Sequence, residues 1–172
     1  IGIVCPYSLD VPGGVQTHVV ELARALRDLG HAVSVLAPAD EDTQVPDFVT
    51  SAGKALGVPY NGSVARVTFG PVTYARARRW LERNAFDVLH LHHLTPLHEA
   101  AARVAPDVPV VAHLHGTELL MLERVAAGPP ESWAHADAWA ERMRRWAARA
   151  ERLLLLSPSQ LERVETLREI GR

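Results

Sequence analysis

Two groups of residues in this sequence could do chemistry: a glycine pair and a set of histidines. Gly13 and Gly14 follow Pro12, between a short apolar segment and a long amphipathic run. Glycine lets the backbone approach a ligand closely, and the free amides of a helix N-terminus attract anions such as phosphate. The pair therefore indicates a phosphate site, and a tight strand-to-helix turn without a ligand is the alternative.

The histidines form two alternating pairs within apolar segments: His90 with His92, and His113 with His115. Alternate residues of a strand project from the same face, so each pair shares one side. Four imidazoles at neighbouring strand ends could hold the Zn²⁺ ion of a metal-dependent hydrolase. The alternative is that some are buried polar residues bonded to the backbone, while others act as single functional groups.

A third interpretation joins the two groups. Glycines at a helix N-terminus could hold a phosphate, while a histidine on an adjacent strand end contacts a sugar. This pairing suits glycosyl transfer from a nucleotide sugar, in which the leaving diphosphate needs positive partners. The loop at Gly13 lacks the three spaced glycines of the dinucleotide fingerprint, which argues against a nicotinamide oxidoreductase.

These residues must be positioned by elements that the hydrophobic pattern predicts. Val15, Val19, Leu22, Leu26 and Leu29 have the spacing of one helix face. Further helices are predicted over residues 71–83 and 131–150, after Thr95, and after Ser159. Residues 54–60 are predicted to be irregular or a short edge strand. Strands are predicted at residues 1–5, 31–38, 64–69, 87–92, 110–114 and 153–156.

Alternating strands and helices predict an α/β fold, a doubly wound parallel sheet of the Rossmann-like type. Ligands of such sheets bind outside the carboxyl ends of the strands, where the strand order reverses. We expect the first and fourth strands of the sheet to flank that point. Their ends then bring the glycine pair and the histidines to the same edge.

Length, net charge and composition further narrow the kinds of protein that this sequence can represent. A chain of 172 residues can form one sizeable core, and a net charge of −2 gives no basic field for nucleic acid. The one cysteine, Cys5, cannot form an internal disulfide, which fits a reducing cytosol. No apolar run is long enough to cross a bilayer. Because the chain opens on a strand without Met, we expect a piece of a longer protein.

One predicted helix is basic and amphipathic. Arg76, Arg79 and Arg83 share a face of the helix over residues 71–83, and Trp80 lies at its boundary. Such a helix can dock on an anionic membrane surface. A solvated charged face on an ordinary packed helix is the alternative interpretation.

Several segments resemble the start of the retaining GT-B glycosyltransferases of family 4, and within that family the mannosyltransferases are most similar. The resemblance is dense up to about His92 and looser beyond it. The segment 113–118 resembles the wider family. The dense part is carried by residues 4–8, 10–18, 33–38, 59–66 and 86–92.

The resemblance implies a role for several residues. Gly13 and Gly14 match the turn whose amide faces the donor phosphate and the acceptor, and His115 matches a histidine that contacts the transferred sugar near the reacting carbon. The arginine-rich helix matches a membrane-docking helix. Four positions match residues that surround an inositol phosphate head group: Tyr7, Gln16, Asn61 and Arg66.

The resemblance also implies the organisation of the whole enzyme. Residues 1–172 correspond to an N-terminal acceptor-binding Rossmann-like domain, and the nucleotide-sugar domain is absent from this chain. Transfer retains the anomeric configuration, with neither metal nor other cofactor. The expected partners are a nucleotide-sugar donor, held by the missing domain, and a phosphorylated polyol or lipid-linked glycan acceptor. We expect a cytoplasmic protein, peripheral on the inner face of the membrane, that is inactive as this chain alone.

The sequence departs from the family pattern in two places. The segment after His92 is not like that of the mannosyltransferases, so the acceptor is left open. Glu123 and Glu131 have the spacing of the family's glutamate pair, but they lie in the wrong half of the fold and straddle a proline-rich loop. That match is a coincidence of spacing.

Overall fold

The computed structural model describes residues 1–60, 63–68, 70–131 and 133–169. Helices and strands alternate along most of this length. The strands are β1 (Gly2–Val4), β2 (Ser34–Ala37), β3 (Val49–Ser51), β4 (Leu56–Tyr60), β5 (Ser63–Val67), β6 (Leu89–His92), β7 (Val110–Leu114) and β8 (Arg152–Leu155). The helices are α1 (Gly14–Asp28), α2 (Pro71–Arg83), α3 (Leu97–Val104), α4 (Thr117–Ala126), α5 (Ala136–Arg149) and α6 (Ser159–Glu169).

Six of the strands form one parallel sheet in the order β3-β2-β1-β6-β7-β8. Strand β1 is central, because Gly2 is in register with Ser34 of β2 on one side and with Leu89 of β6 on the other. The chain first builds the sheet outward from β1 in one direction and then in the other. This is the predicted doubly wound Rossmann-like order, and its reversal point lies between β1 and β6.

The sheet is covered on both faces because its central strands are apolar on both. Ile3 of β1 packs with Val19 of α1, in a cluster on one face. Val4, the next residue, packs on the other face with Ala77 of α2 and Ala101 of α3. Successive residues of a strand point to opposite faces of the sheet, so β1 contributes to the hydrophobic clusters on both faces.

Two strand assignments differ from the sequence prediction. Strand β3 was not predicted, since three residues are too few to show a periodic pattern. Residues 64–69 were predicted as a strand of the main sheet. Instead, β5 pairs antiparallel in a separate two-stranded hairpin with β4, the short strand allowed for residues 54–60. The predicted strand over residues 64–69 therefore does not join the main sheet.

The start of one helix and the exposure of one strand also differ from the prediction. The helix predicted from residue 131 begins only at Ala136, after a turn at His135, which has left-handed backbone (φ 63°). The last strand is half exposed rather than buried: Leu154 of β8 keeps 40% of its surface accessible, and among the described strands β8 lies at the edge of the sheet beside β7.

Candidate functional site

The glycine loop lies at the carboxyl end of β1, as predicted. Gly13 caps α1 with extended backbone (φ −165°), and Gly14 is the first helical residue. A Cβ atom at Gly13 would lie 2.5 Å from Oε1 of Gln16, whereas one at Gly14 would meet nothing within 4 Å. A side chain at Gly13 would therefore displace the end of the Gln16 side chain, while Gly14 leaves the N-terminus of α1 open.

Gln16 holds this loop in place. Its side-chain Nε2 donates to the carbonyl oxygens of Ser8, at 3.3 Å, and Val11, at 3.2 Å. Both acceptors belong to the segment between β1 and the glycine pair. Gln16 therefore lies beside the predicted acceptor site and fixes the shape of the loop that forms it.

Arg66 of β5 lies in an ion-pair network. Its Nη2 is 3.0 Å from Oδ2 of Asp40 and 3.7 Å from Oδ2 of Asp10. Asp10 also accepts hydrogen bonds from the hydroxyls of Ser8 and Thr43. Burial alone would raise the pKa of Asp10, but these hydrogen bonds and Arg66 lower it. A guanidinium has five N–H donors, so Arg66 keeps donors beyond those that face these two carboxylates.

Tyr7 connects the hairpin to the reversal point of the sheet. Its backbone forms an isolated bridge with Val67, and its ring meets the His93 ring edge-on at 5.0 Å between centroids. Next to it, the amide of Ser8 donates to the carbonyl of Arg66 at 2.8 Å. The hairpin thus brings Arg66 to the carboxyl edge of β1. Asn61, the fourth predicted head-group residue, lies outside the described residues.

Six imidazole rings gather at the carboxyl ends of β6 and β7. The predicted shared face of each pair is confirmed: the rings of His90 and His92 stack at 4.6 Å, and those of His113 and His115 at 4.5 Å. Nδ1 of His92 lies 2.8 Å from Nε2 of His115. The histidine cluster comprises His18, His90, His92, His93, His113 and His115.

Burial favours the neutral form of four of these rings, those of His90, His92, His113 and His115. Desolvation, and secondarily repulsion between neighbouring imidazoles, lowers the pKa of His90 to about 4 and that of His115 to about 3. The pKa values of His92 and His113 fall for the same two reasons. Neutral imidazoles can form hydrogen bonds with a polar ligand but offer no positive charge to an anion.

A buried carboxylate supports the cluster from α4. Glu118, in the first turn of that helix, places Oε1 2.5 Å from Nδ1 of His93. Burial by itself raises the pKa of Glu118, but the hydrogen bond from His93 lowers it below its usual range. The His93 ring in turn stacks on His115 at 4.7 Å. Glu118 therefore fixes a ring that packs directly on the predicted sugar-contacting histidine.

Two members of this arrangement were not singled out from the sequence. His18 lies one turn after Gly14 on α1, and its ring lies 5.0 Å from that of His113. The four-residue spacing from Gly14 was the available signal, because residues i and i+4 share a helix face. His93 has left-handed backbone (φ 63°), which breaks the strand alternation and leaves no such signal.

The basic helix α2 presents the predicted arginine face. Arg76, Arg79 and Arg83 are all exposed, while the opposite face of the helix is buried. Trp80 is buried rather than at the boundary, and its indole nitrogen donates to Oγ of Ser34 at 2.9 Å. Among the described helices, none has both the length and the apolar character needed to span a bilayer.

The fold and the site together define a Rossmann-like domain with an open helix N-terminus beside a histidine cluster. A sequence model of Glycosyltransferase Family 4 matches residues 12–171, and the chain belongs to that family.

Among curated proteins, the phosphatidyl-myo-inositol mannosyltransferase of Mycolicibacterium smegmatis is 54% identical over 116 residues, covering 67% of this chain and 30% of the relative. The Mycobacterium tuberculosis protein of the same name is 51% identical over 117 residues, covering 67% and 31%. The phosphatidylinositol N-acetylglucosaminyltransferase GPI3 subunit of Saccharomyces cerevisiae is 30% identical over 94 residues, covering 54% and 21%. The chain thus spans about 30% of the length of its first curated relatives.

Proposed function

We propose that this chain is the N-terminal, acceptor-binding domain of a retaining GT-B glycosyltransferase that transfers mannose from a nucleotide sugar to a phosphatidylinositol-type acceptor. The choice of acceptor rests on one term, phosphatidylinositol, that the names of two kinds of relative share. The bacterial relatives are mannosyltransferases and the yeast relative is an N-acetylglucosaminyltransferase, yet both act on phosphatidylinositol. This shared term supports a phosphatidylinositol-type acceptor.

The geometry offers the groups that an inositol phosphate requires. Arg66 supplies a cation at the carboxyl edge of β1, and the open amides of α1 at Gly14 supply a second positive region. Tyr7 and Gln16 line the same edge. We assign the head-group phosphate to the space between α1 and the hairpin, and we retain Asn61 as a further contact.

The donor diphosphate is assigned to the same helix N-terminus, from the side of a second domain that holds the nucleotide. In the transfer step, the bond from the anomeric carbon to the diphosphate breaks, and the acceptor hydroxyl attacks from the same face. The leaving phosphate oxygen takes the hydroxyl proton. His115, held neutral by burial, contacts the sugar near the reacting carbon through a hydrogen bond. The reaction uses no metal or other cofactor.

We place the enzyme on the cytoplasmic face of the cell membrane, without a spanning helix in this part of it. The lipid acceptor requires contact with a bilayer, and the exposed face formed by Arg76, Arg79 and Arg83 provides the attraction to anionic lipids. Helix α2 follows the hairpin that carries Arg66, so docking would bring the acceptor site to the surface.

The direct test is an amide-resolved NMR titration of this chain with inositol 1-phosphate. Shifts at Gly13, Gly14 and Gln16, weakened in Arg66→Gln, are expected. Inorganic phosphate and free myo-inositol serve as matched ligands, and each should shift fewer of these amides at a given concentration. Equal responses to inositol 1-phosphate and to inorganic phosphate would contradict the head-group assignment. Transfer above background by this chain alone would contradict its assignment as one domain of two.

A further inference from the structure

Part of the histidine cluster has the geometry of a metal site. His18, His92 and His113 place one ring nitrogen each within 4.8 Å of one another. They come from α1, β6 and β7, so three separate elements converge on one point. The ring centroids of His92 and His113 are 4.9 Å apart, and that of His18 lies 5.5 Å and 5.0 Å from them.

Two of these side chains are buried with a ring nitrogen unsatisfied. His92 is fully buried and His113 is 7% exposed, and within the described part of the chain neither Nε2 of His92 nor Nδ1 of His113 has a hydrogen-bond partner. Buried polar atoms are normally paired, so unpaired ones require an explanation, and a bound ion is one that fits two imidazole nitrogens on neighbouring strands. A lone pair on each nitrogen is what a metal ion requires.

The other nitrogen of His92 is already held. Its Nδ1 lies 2.8 Å from Nε2 of His115, and when that Nδ1 donates, the lone pair of His92 is on Nε2. Metal-binding histidines usually have their second nitrogen fixed by such a partner, which orients the ring. Here the outer partner is His115, so an ion bound by His92 would also fix the orientation of His115.

From this arrangement we propose that His18, His92 and His113 form a binding site for one divalent transition-metal ion of the Zn²⁺ class, separate from the glycosyl transfer. Three imidazoles without a carboxylate suit Zn²⁺, Ni²⁺ or Cu²⁺ rather than Mg²⁺ or Ca²⁺. Imidazole nitrogens on a tetrahedral ion with 2.0–2.1 Å bonds lie roughly 3.4 Å apart, so the three must draw closer. His18 is exposed and can turn inward, which leaves the fourth coordination position facing solvent.

The bound ion ties α1 to the carboxyl ends of β6 and β7. It therefore stabilises the chain by binding the folded state alone. The metal site itself does not rest on the proposed transfer, because its ligands, burial and geometry involve no substrate.

The test uses the untagged chain, stripped of metal by a chelator and titrated with Co²⁺. Tetrahedral Co²⁺ has a strong visible absorption that reports the site, and calorimetry with Zn²⁺ gives the stoichiometry. We expect one ion per chain and at least about tenfold weaker binding in His18→Ala. The matched control is His31→Ala, which removes another exposed histidine, outside the histidine cluster, and should bind as the unmodified chain does.

Two results would overturn the proposal: no cobalt absorption at saturating metal, or an equal loss of affinity in His18→Ala and His31→Ala. Since both positions are exposed, both variants should fold, and thermal unfolding checks this. A metal-induced rise of the melting temperature, absent from His18→Ala, would support the site independently. No sugar or acceptor enters these measurements, so failure of the proposed transfer leaves their outcome unchanged.

Discussion

Nδ1 of His93 lies 2.5 Å from Oε1 of Glu118, and both side chains are buried. The left-handed backbone at His93 turns its ring out of the strand direction, toward the first turn of α4. The carboxylate thereby fixes a ring that stacks on His115. The two residues link the end of β6 to the start of α4 at the centre of the site.

This pair predicts a stability effect at Glu118. The change Glu118→Gln keeps the shape but removes the charge, so it should lower the free energy of unfolding by about 1–3 kcal/mol, measured in urea. Glu123→Gln is the matched control, because Glu123 lies on the same helix in an exposed pair with Arg163. It should lower stability by less than about 1 kcal/mol. Equal losses would show that the buried pair has no special role.

The glycine pair gives a second prediction, in which stability and binding separate. Gly14→Ala should leave stability unchanged or raise it by up to ~1 kcal/mol, since the new methyl meets no atom of the chain. It should abolish the NMR response to inositol 1-phosphate, because that methyl occupies the space assigned to the phosphate. Thermal unfolding and the titration measure the two effects.

Gly13→Ala is the companion variant. Its methyl would lie 2.5 Å from Oε1 of Gln16, so it must displace the side chain that holds Ser8 and Val11. We expect a loss of about 1 kcal/mol of stability. If Gly14→Ala stays folded and keeps the NMR response to inositol 1-phosphate, the open helix N-terminus is not the ligand site.

The third prediction concerns acid. His98 of α3 is buried, and desolvation lowers its pKa to about 4, although the His93 carbonyl and Glu118 act to raise it and Arg149 acts to lower it further. The folded chain then binds fewer protons than the unfolded chain below pH 6.5. Stability from neutral His98 is therefore full above pH 6.5 and is lost as the pH falls toward 4, by roughly 3 kcal/mol.

Urea unfolding between pH 7.5 and pH 4.5 measures this loss. Other buried histidines also lower the stability as the pH falls. The informative quantity is therefore the difference in stability loss between the unmodified chain and His98→Gln, which should lose less over that range. His31→Gln, at an exposed position, should follow the unmodified chain. Parallel curves for all three proteins would contradict the role of His98.

The fourth prediction concerns the membrane. Changing Arg76, Arg79 and Arg83 to Ala should reduce sedimentation with anionic liposomes at low salt by at least about tenfold, since each basic residue contributes about 1 kcal/mol near such a surface. The chain offers a control with identical spacing on α5, where Arg142, Arg145 and Arg149 are also exposed. That triple variant has the same net charge and should still sediment. Similar losses in both variants would indicate a general charge effect.

Much of the fold could be predicted from the sequence because its signals are local. The apolar segments of β1, β2, β6 and β7 and the periodic face of α1 indicate their own conformation, and the alternation of strands and helices favours the sheet order. Strand β3 depends on its pairing with β2 and carries no such pattern. In the hairpin, a strand over residues 64–69 was predicted, but its antiparallel pairing with β4 outside the main sheet depends on cross-strand contacts that no local pattern shows.

The site divides in the same way. The glycine pair and the alternating histidines follow from strand ends and spacing, which the sequence displays. The contact of His18 with the cluster depends on how α1 packs, and the bond between His93 and Glu118 depends on one left-handed residue. Such contacts arise from tertiary packing, so no periodic pattern in the sequence indicates them.

The central position of β1 bears on how this molecule folds. One edge of β1 pairs with β2, which is close to it in sequence. The other edge of β1 is paired only when Leu89 of β6 aligns with Gly2. Until then, this edge of the apolar strand β1 has no partner, and pairing it requires the long segment between β1 and β6 to become ordered. The pairing that brings the candidate site together therefore joins segments far apart in sequence. Contacts of that kind slow folding, and an unpaired apolar edge is exposed to aggregation until they form.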